Sequence, residues 1–169
     1  NALEGRSLPV YGQGENIRDW LFVEDHVRAL HTILEKGIPG RTYNIGGNCE
    51  KKNLEVVQTI CNILDEILPV ESNNLHMNGV NDSSSSLITH YSQLITYVPD
   101  RPGHDLRYAI DETRIRQELG WTPKESFASG LKKTIKWYLD NPAWVERART
   151  GEYQDWIKTN YDMLGRRRI

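Results

Sequence analysis

The sequence predicts a mixed α/β fold in which helices dominate. Three observations indicate this class. Apolar residues recur at helical spacing in several segments, short apolar or alternating runs typical of strands lie between them, and glycine or proline stands at most boundaries. The strand-like runs are too few to form the succession of parallel βαβ units that a complete doubly wound sheet requires. We therefore expect a helix-rich α/β domain without a full parallel sheet.

Short runs rich in apolar and β-branched residues predict the strands. Residues 8–12 form an extended segment that ends in a glycine turn, and residues 17–23 alternate as a strand does, although two charged residues interrupt the alternation. Residues 41–45 predict a buried strand, and residues 94–98 predict another. Residues 108–110 predict a short extended piece.

Two amphipathic helices are predicted in the first half of the chain. Asp25 is suited to cap a helix that ends near Lys36, where a glycine and a Pro-Gly pair follow. Asn53 is suited to cap a second helix over residues 54–68. The apolar residues that would form the inner face of the first helix are Val27, Leu30, Ile33 and Leu34.

The second half of the chain predicts a loop and two further helices. Residues 71–89 are polar and include four consecutive serines, so we expect a flexible surface loop there. One helix is capped by Asp111 and ends at Gly120, and the other begins at Ser126 and ends at Pro142.

These elements divide the chain into two parts. Residues 1–142 form the predicted domain, and residues 143–169 form an aromatic and basic tail that we expect to dock on a partner surface. A solvated end explains the basic run of residues 166–168 better than an anion site does. The first residues read as the last turn of a helix that ends at Gly5, so we expect the chain to be part of a longer protein.

Charge and cysteine usage argue against several classes of function. The net charge of −2 and the isoelectric point near 6.2 give no basic field that would attract nucleic acid or an anionic membrane surface. No apolar stretch approaches the roughly 18 residues of a membrane-spanning helix. Cys49 and Cys61 lack metal-binding spacing, so no metal site is predicted, and a reducing, cytoplasmic location fits them best.

The most distinctive chemistry lies in residues 100–108, Asp-Arg-Pro-Gly-His-Asp-Leu-Arg-Tyr. Pro102 and Gly103 bend the backbone there, so the polar side chains around the bend can converge on one ligand. Arg101, Arg107 and His104 suit a phosphate or diphosphate, because guanidinium groups pair bidentately with phosphate oxygens. A surface turn with a local ion pair is the alternative, and composition alone does not separate the two.

Three other segments carry residues suited to the same ligand. Arg18 lies in a strand-like run, where a charge must be paired or used. Asn53 opens a helix whose N-terminus favours anions, although it fits a simple N-cap equally well. Residues 9–11, Pro-Val-Tyr, offer an edge and an aromatic face for a flat ring. Together these pieces predict half of a nucleotide-sugar site, in which Arg18 and Arg101 hold a diphosphate.

At these residues the chain resembles the dTDP-glucose 4,6-dehydratases, a branch of the extended short-chain dehydrogenase/reductases. The run Asp-Arg-Pro-Gly-His-Asp at residues 100–105 is the most specific match, whereas the Tyr-Asn-Ile-Gly-Gly and Arg-Asp-Trp patterns are shared with sugar-nucleotide epimerases. The resemblance covers nearly all of residues 1–144. The other matching stretches are residues 8–12, 17–21, 23–26, 42–47, 52–54, 106–108, 118–121 and 137–139.

The resemblance implies a function in deoxysugar biosynthesis, including that of rhamnose. Members of the family convert dTDP-glucose to dTDP-4-keto-6-deoxyglucose with tightly bound NAD, which accepts a hydride from the sugar C4 and returns it to C6. Their C-terminal half binds the nucleotide of the substrate. Carried over by motif, the nucleotide-binding positions here would be Pro9, Val10, Tyr11, Arg18, Asn53, Asp100, Arg101, Pro102, Gly103 and His104.

The resemblance also implies what this sequence lacks. It contains no glycine-rich cofactor loop and no Tyr-x-x-x-Lys pair, which belong to the N-terminal Rossmann half of the family. We therefore expect the C-terminal substrate-binding portion of an NAD-dependent lyase, with no catalytic or cofactor-binding residue and no activity of its own. Its expected partners are dTDP-glucose, the missing Rossmann half and, in a homodimer, a second copy of the chain.

Two alternatives remain open at this stage. The chain could act as a non-catalytic binding or assembly module that docks through its aromatic tail. It could instead be part of a related sugar-nucleotide epimerase or decarboxylase, which would change the reaction without changing the superfamily.

Overall fold

The computed structural model describes residues 1–70, 88–149 and 151. These residues contain two small two-stranded β-sheets. β1 (Leu8–Tyr11) pairs in parallel with β4 (Ile95–Val98), with Leu8 opposite Ile95. β2 (Ile17–Asp19) pairs antiparallel with β3 (Glu50–Lys52). The predicted strands at residues 8–12 and 94–98 are confirmed, and neither sheet is a complete doubly wound one.

Helices make up most of the remaining regular structure. The chain divides into two compact units, Asn1–Lys132 and Lys133–Ile169, and the boundary falls within the fourth α-helix. The predicted division at residue 142 stays a prediction. Short 3₁₀ helices cover Ala2–Glu4 and Tyr91–Leu94. The α-helices are α1 (Val23–Lys36), α2 (Asn53–Ile67), α3 (Thr113–Leu119), α4 (Phe127–Asp140) and α5 (Pro142–Arg149).

One hydrophobic cluster joins α1, α3 and the turn that follows α3. Ala29 of α1 is fully buried against Ile115 and Leu119 of α3 and against Trp121. Four partly buried apolar side chains complete this cluster. They are Leu21, Ile33, Tyr43 and Ile45.

A second buried group lies where α2 meets the 3₁₀ helix that precedes β4. Tyr91 and Leu94 are fully buried, as is Cys61 of α2. The Tyr91 hydroxyl donates a hydrogen bond to the Leu68 carbonyl at 3.1 Å, and the Tyr91 backbone N–H donates to the Asp65 carboxylate at 3.0 Å. Because its polar groups are satisfied in this way, the tyrosine can be buried without a large desolvation cost.

The orientation of α1 differs from the prediction. Its predicted inner face is wrong for Val27, Leu30 and Leu34, which are all exposed, while Ala29 and Asp25 are buried. The reason is Asp25. Its carboxylate accepts hydrogen bonds from two backbone N–H groups, those of Lys124 and Glu125, and this anchor turns its own side of the helix inwards.

Two predicted strands also differ from the structure. The strand predicted over residues 17–23 ends at Asp19, because the Asp19 carboxylate accepts hydrogen bonds from the Gly47 and Cys49 N–H groups at 2.7 Å and the chain then enters α1. Residues 41–45 are not assigned as a strand, since no strand among the described residues pairs with them.

Predicted helix starts are close but shifted. α1 begins at Val23, so Asp25 lies in its first turn and is not its N-cap. α2 begins at Asn53, and Lys52 is its N-cap. The Glu55 side chain accepts the Lys52 backbone N–H at 2.9 Å and so satisfies a donor at the helix start.

Several predictions fall wholly or partly outside the described residues. Of the loop predicted over residues 71–89, the structure describes the last two, and Ile88 is buried. Of the predicted tail, residues 143–149 and 151 are described. Trp144 is half-exposed there and contacts the rings of Trp137 and Tyr138. No helix in the described ranges is long and apolar enough to cross a membrane.

The Cys61 thiol gives a test of the packing around α2. Burial, with a smaller effect of the Asp65 carboxylate, raises the pKa of Cys61 to about 11. The folded state therefore favours the neutral thiol. The stability that the folded protein gains from the neutral Cys61 thiol should be lost as the pH rises from about 9 through about 11.

We expect Cys61 to resist a thiol-specific reagent at pH 8 and to react at once in denaturant. A Cys49→Ala variant makes Cys61 the sole thiol, so that the reacting group is unambiguous. Rapid labelling of that variant under native conditions would contradict the described packing.

Candidate functional site

A pocket of about 220 Å³ opens where β1, β2, the start of α2 and the segment after β4 meet. These elements are distant in sequence, and the fold brings their polar side chains together on one concave surface. Guanidinium, imidazole, amide and aromatic groups all contribute. The lining residues are Tyr11, Asn16, Arg18, Trp20, Asn53, Arg101 and His104.

The turn between β1 and β2 is fixed against the start of α2. Gly14 has a φ of 71°, and a Cβ atom there would lie 2.8 Å from the Leu54 Cβ and 2.9 Å from a Val10 methyl carbon, so only glycine fits. The Leu54 N–H donates to the Gly14 carbonyl at 3.0 Å, and the Asn53 N–H donates to the Asn16 carbonyl at 2.9 Å. These contacts hold Asn53 beside the turn and at the rim of the pocket.

Arg18 is held in place by the segment that follows β4. Its guanidinium donates to the Ile17 carbonyl at 2.6 Å and to the Asp105 carbonyl at 3.0 Å, and it lies 4.4 Å from the centre of the Tyr108 ring. The Ile17 N–H donates to the Leu106 carbonyl at 2.7 Å, which ties this segment to β2. The cation is thus oriented before any ligand binds.

His104 is positioned by a carboxylate four residues before it. The Asp100 Oδ1 lies 2.7 Å from His104 Nδ1 and accepts the Arg101 backbone N–H at 2.9 Å. The hydrogen bond with His104, aided by that of Arg101, lowers the pKa of Asp100. Gly103 has a φ of 71° and allows the tight turn between them. The His104 ring meets Tyr11 edge to face, with 6.1 Å between ring centroids.

The electrostatics of the pocket favour an anion. Within the described part of the chain, no carboxylate forms an ion pair with Arg18 or Arg101, whereas Arg107 is held bidentately by Glu50 at 2.5 and 2.6 Å. Two guanidinium groups that line one concave surface attract an anion that lies between them. The arrangement therefore suits a group with two negative charges, such as a diphosphate.

The structure gathers half of the predicted site residues at the pocket. Tyr11, Arg18, Asn53, Arg101 and His104 line it, and the remaining five do not. Among those, the Val10 side chain is fully buried, so it packs in the interior and cannot contact a ligand. Asp100, Pro102 and Gly103 shape the turn that carries Arg101 and His104, while Pro9 is exposed on β1.

Sequence reasoning missed two lining residues. Asn16 is buried, and its amide donates to the Asp105 carbonyl at 3.3 Å. Trp20 is partly exposed and meets Phe127 edge to face. An asparagine two residues after a glycine turn, as Asn16 is after Gly14, is a signal that could have indicated a polar anchor. Trp20 lies within the strand-like run of residues 17–23, and the Arg-Asp-Trp pattern of the resemblance is the signal that could have indicated it.

Comparison with known proteins identifies the family. The family model described as GDP-mannose 4,6 dehydratase matches residues 1–134. The chain belongs to that family. It is 54% identical over 162 residues to the dTDP-glucose 4,6-dehydratase of Shigella flexneri and 51% identical over 154 residues to that of Neisseria meningitidis, covering 96% and 91% of this chain. It spans about 40% of the length of these relatives and matches the C-terminal part.

Solved structures of similar proteins share the fold. The dTDP-glucose 4,6-dehydratase of Bacillus anthracis, in complex with NAD, matches with a TM-score of 0.65 and 42% identity, covering 85% of this chain and 38% of that one. A UDP-glucose 4-epimerase from Thermotoga maritima matches with a TM-score of 0.60 and 26% identity, covering 83% and 37%. The predicted fold class, a helix-rich C-terminal part of an extended short-chain dehydrogenase/reductase, is confirmed.

Proposed function

We propose that this chain is the nucleotide-sugar-binding part of a dTDP-glucose 4,6-dehydratase. The observation that carries the proposal is the pocket that Arg18 and Arg101 line together, where neither guanidinium forms an ion pair with a carboxylate of the described residues. The identity to dTDP-glucose 4,6-dehydratases supports dTDP-glucose as the substrate, from which the parent enzyme would make dTDP-4-keto-6-deoxyglucose.

Each lining residue has a chemical role in this proposal. Arg18 and Arg101 hold the diphosphate, because their guanidinium groups carry the positive charge of the pocket. Tyr11 offers an aromatic face to the base. Asn53 and His104 supply polar edges that fix its orientation. Of the other predicted positions, Asp100, Pro102 and Gly103 act by shaping the turn, and Pro9 and Val10 act through the backbone of β1.

The pocket accounts for part of a substrate site. Its volume of about 220 Å³ is below the roughly 300–1,000 Å³ typical of small-molecule sites. We infer that it holds the nucleotide end of the substrate and that the sugar extends toward another part of the parent enzyme. The predicted Rossmann half would supply that part.

NAD does not fit the residues of this chain. The Bacillus anthracis relative was solved with NAD, but the present sequence has no glycine-rich dinucleotide loop and no Tyr-x-x-x-Lys pair. Among the described residues, no group of His, Cys, Asp and Glu side chains could hold a metal ion. We therefore propose that the isolated chain binds nucleotide without turning over the sugar. A cytoplasmic location and a homodimeric parent enzyme belong to the same proposal.

Calorimetric titration with dTDP, dTMP and UDP tests the proposed function. We expect heat from binding of dTDP, weaker binding of dTMP because it lacks one phosphate, and weaker binding of UDP because it lacks the thymine methyl group and carries a 2′-hydroxyl group. Circular dichroism on the same sample shows whether the chain is folded. A folded chain that binds none of the three would overturn the proposal, and a preference for UDP would favour an epimerase.

A further inference from the structure

We propose that Tyr108 is a positioning residue whose ring holds the Arg18 guanidinium in the orientation that binds the nucleotide diphosphate. The inference rests on the proposed function and deepens it, because it adds a residue that acts on the pocket from outside. Among the described residues, Tyr108 is not one of those that line the pocket. We therefore assign its effect on a ligand to the lining residue that it contacts, Arg18.

The contacts of Arg18 hold its cation without neutralising it. The guanidinium carbon lies 4.4 Å from the centre of the Tyr108 ring, a distance at which the face of the ring attracts a cation. The guanidinium also donates to the carbonyl groups of Ile17 and Asp105, at 2.6 and 3.0 Å. Neither a ring nor a carbonyl group carries a net charge, so the positive charge stays available to a phosphate. A carboxylate in the place of the ring would compete with that phosphate.

The Tyr108 ring is itself held from two sides. The Tyr108 backbone N–H donates to the Ile17 carbonyl at 3.0 Å, in the strand that carries Arg18. The Tyr108 hydroxyl donates a hydrogen bond to the Asp105 carboxylate, and this bond raises the pKa of Tyr108 and so favours the protonated hydroxyl. Because the side chain is half-exposed, the ring would be free to turn toward solvent without that bond.

The segment that carries this ring is bonded to both strands of the β2–β3 sheet. The Ile17 N–H of β2 donates to the Leu106 carbonyl at 2.7 Å. On β3, Glu50 binds the Arg107 guanidinium bidentately, with N–O distances of 2.5 and 2.6 Å. These contacts restrain the backbone immediately before the tyrosine. The position of the ring is thus set by the same sheet that carries Arg18.

Holding Arg18 in advance has an energetic consequence for binding. An arginine side chain has many rotamers, and a ligand that must select one of them binds less tightly. The Tyr108 ring removes part of that cost before the ligand arrives. A role in the hydrophobic core does not fit the tyrosine, since 52% of its surface is exposed and it buries little apolar area.

Calorimetric titration of the full 169-residue chain with dTDP tests the role of the ring. We expect Tyr108→Leu to raise the Kd about two- to fivefold, which is the effect of losing an exposed cation–π contact. Tyr108→Phe keeps the ring and loses only the bond to Asp105, so it should recover most of the affinity. Tyr97→Leu is the matched control, because Tyr97 is 54% exposed and lies outside the pocket, and it should leave the Kd unchanged.

A double-mutant cycle shows whether Tyr108 acts through Arg18. In an Arg18→Ala background, Tyr108→Leu should cause no further rise in the Kd, because the group that the ring holds is gone. In an Arg101→Ala background, the full two- to fivefold rise should remain. A tyrosine that contacted the nucleotide directly would instead weaken binding to the same extent in both backgrounds.

Nuclear magnetic resonance tests the contact without any nucleotide. The ring should shift the side-chain protons of Arg18 next to the guanidinium upfield, and this shift should persist in Tyr108→Phe and disappear in Tyr108→Leu. Circular dichroism shows whether each variant is folded. If Tyr108→Leu does not fold, Asp105→Ala replaces it, because this change removes the acceptor of the tyrosine hydroxyl at an exposed residue. Asp105→Ala should reduce the upfield shift and weaken dTDP binding.

The outcomes separate this inference from the proposed function. An upfield shift of Arg18 together with a Kd effect that vanishes in the Arg18→Ala background supports the positioning role. An unchanged Kd in the folded leucine or Asp105→Ala variant, or an effect that persists without Arg18, overturns that role and leaves the nucleotide pocket intact. A parent chain that binds no dTDP overturns the proposed function. The Arg18 shift then decides the contact by itself, and its absence overturns the positioning role as well.

Discussion

Replacing both Arg18 and Arg101 with alanine is expected to abolish measurable dTDP binding. The two guanidinium groups line the pocket without a carboxylate partner among the described residues, so they are available to the diphosphate. A hydrogen bond to a charged group contributes about 1.5–3 kcal/mol. Each single substitution should therefore raise the Kd about 10- to 150-fold, and the two losses together should exceed the range of calorimetry.

The two arginines call for different controls. The Arg18 guanidinium also donates a hydrogen bond to the Asp105 carbonyl and contacts the Tyr108 ring, so its loss can disturb the pocket wall. The Arg101 side chain makes no hydrogen bond to another described residue. Arg101→Ala is thus the cleaner test. Arg41→Ala, which removes an arginine paired with Glu118 at 2.8 Å, should leave dTDP binding unchanged. Wild-type affinity in the Arg101→Ala variant would refute its assignment to the diphosphate.

Replacing Asp25 with alanine is expected to cost about 3 kcal/mol of unfolding free energy, which is a large fraction of a domain's stability. Asp25 is 3% exposed, and its carboxylate accepts hydrogen bonds from the Lys124 and Glu125 N–H groups at 3.0 and 2.9 Å and pairs with Arg28. Alanine would leave these donors without their acceptor. Urea unfolding followed by circular dichroism measures the loss.

Asp25→Asn serves as the matched variant. The amide keeps one oxygen for the backbone donors but faces Arg28 with an N–H group, so we expect an intermediate loss of stability. Binding of dTDP by the folded fraction should be unchanged in both variants, because Asp25 lies outside the pocket. An alanine variant as stable as the parent would show that the anchor does not fix α1.

The pH dependence of this anchor has a definite sign. Burial raises the pKa of Asp25, but the hydrogen bonds from Glu125, Arg28 and Lys124 outweigh burial, and the net pKa is lowered from 3.8. The contribution of Asp25 to stability is therefore fully present above that value and is lost as pH falls through its folded pKa. The stability difference between the parent and the alanine variant should narrow below pH 4.

The limits of prediction are clearest at α1 and the segment that follows it. The helix was predicted close to its observed bounds, because the 3.6-residue period of its apolar residues is a local signal. That helix has two apolar faces, and periodicity alone does not tell which one packs within the chain. Residues 41–45 have strand composition for the same local reason, but a strand forms only where a second strand supplies its hydrogen bonds.

At the candidate site, too, some residues were predicted from the sequence and others are brought in only by tertiary contacts. Arg18, Asn53, Arg101 and His104 were predicted from the chemistry of their side chains and from motifs that resemble a family. Asn16 and Trp20 were not predicted as site residues, because tertiary contacts bring them to the pocket. The turn that carries Asn16 is hydrogen-bonded to the start of α2, and the Trp20 ring packs against Phe127. Val10 was included with its neighbours, although strand alternation points its side chain into the interior.

The sequence by itself determined the helix-rich class, the position of most elements, the family and the charged groups of the pocket. These properties depend on residue type and on spacing over a few positions. The tertiary structure alone decided which face of α1 is buried, which extended segments find a partner, and which side chains share the pocket. Those outcomes depend on contacts between distant residues, such as the hydrogen bond from Glu125 to Asp25, whose geometry no local pattern contains.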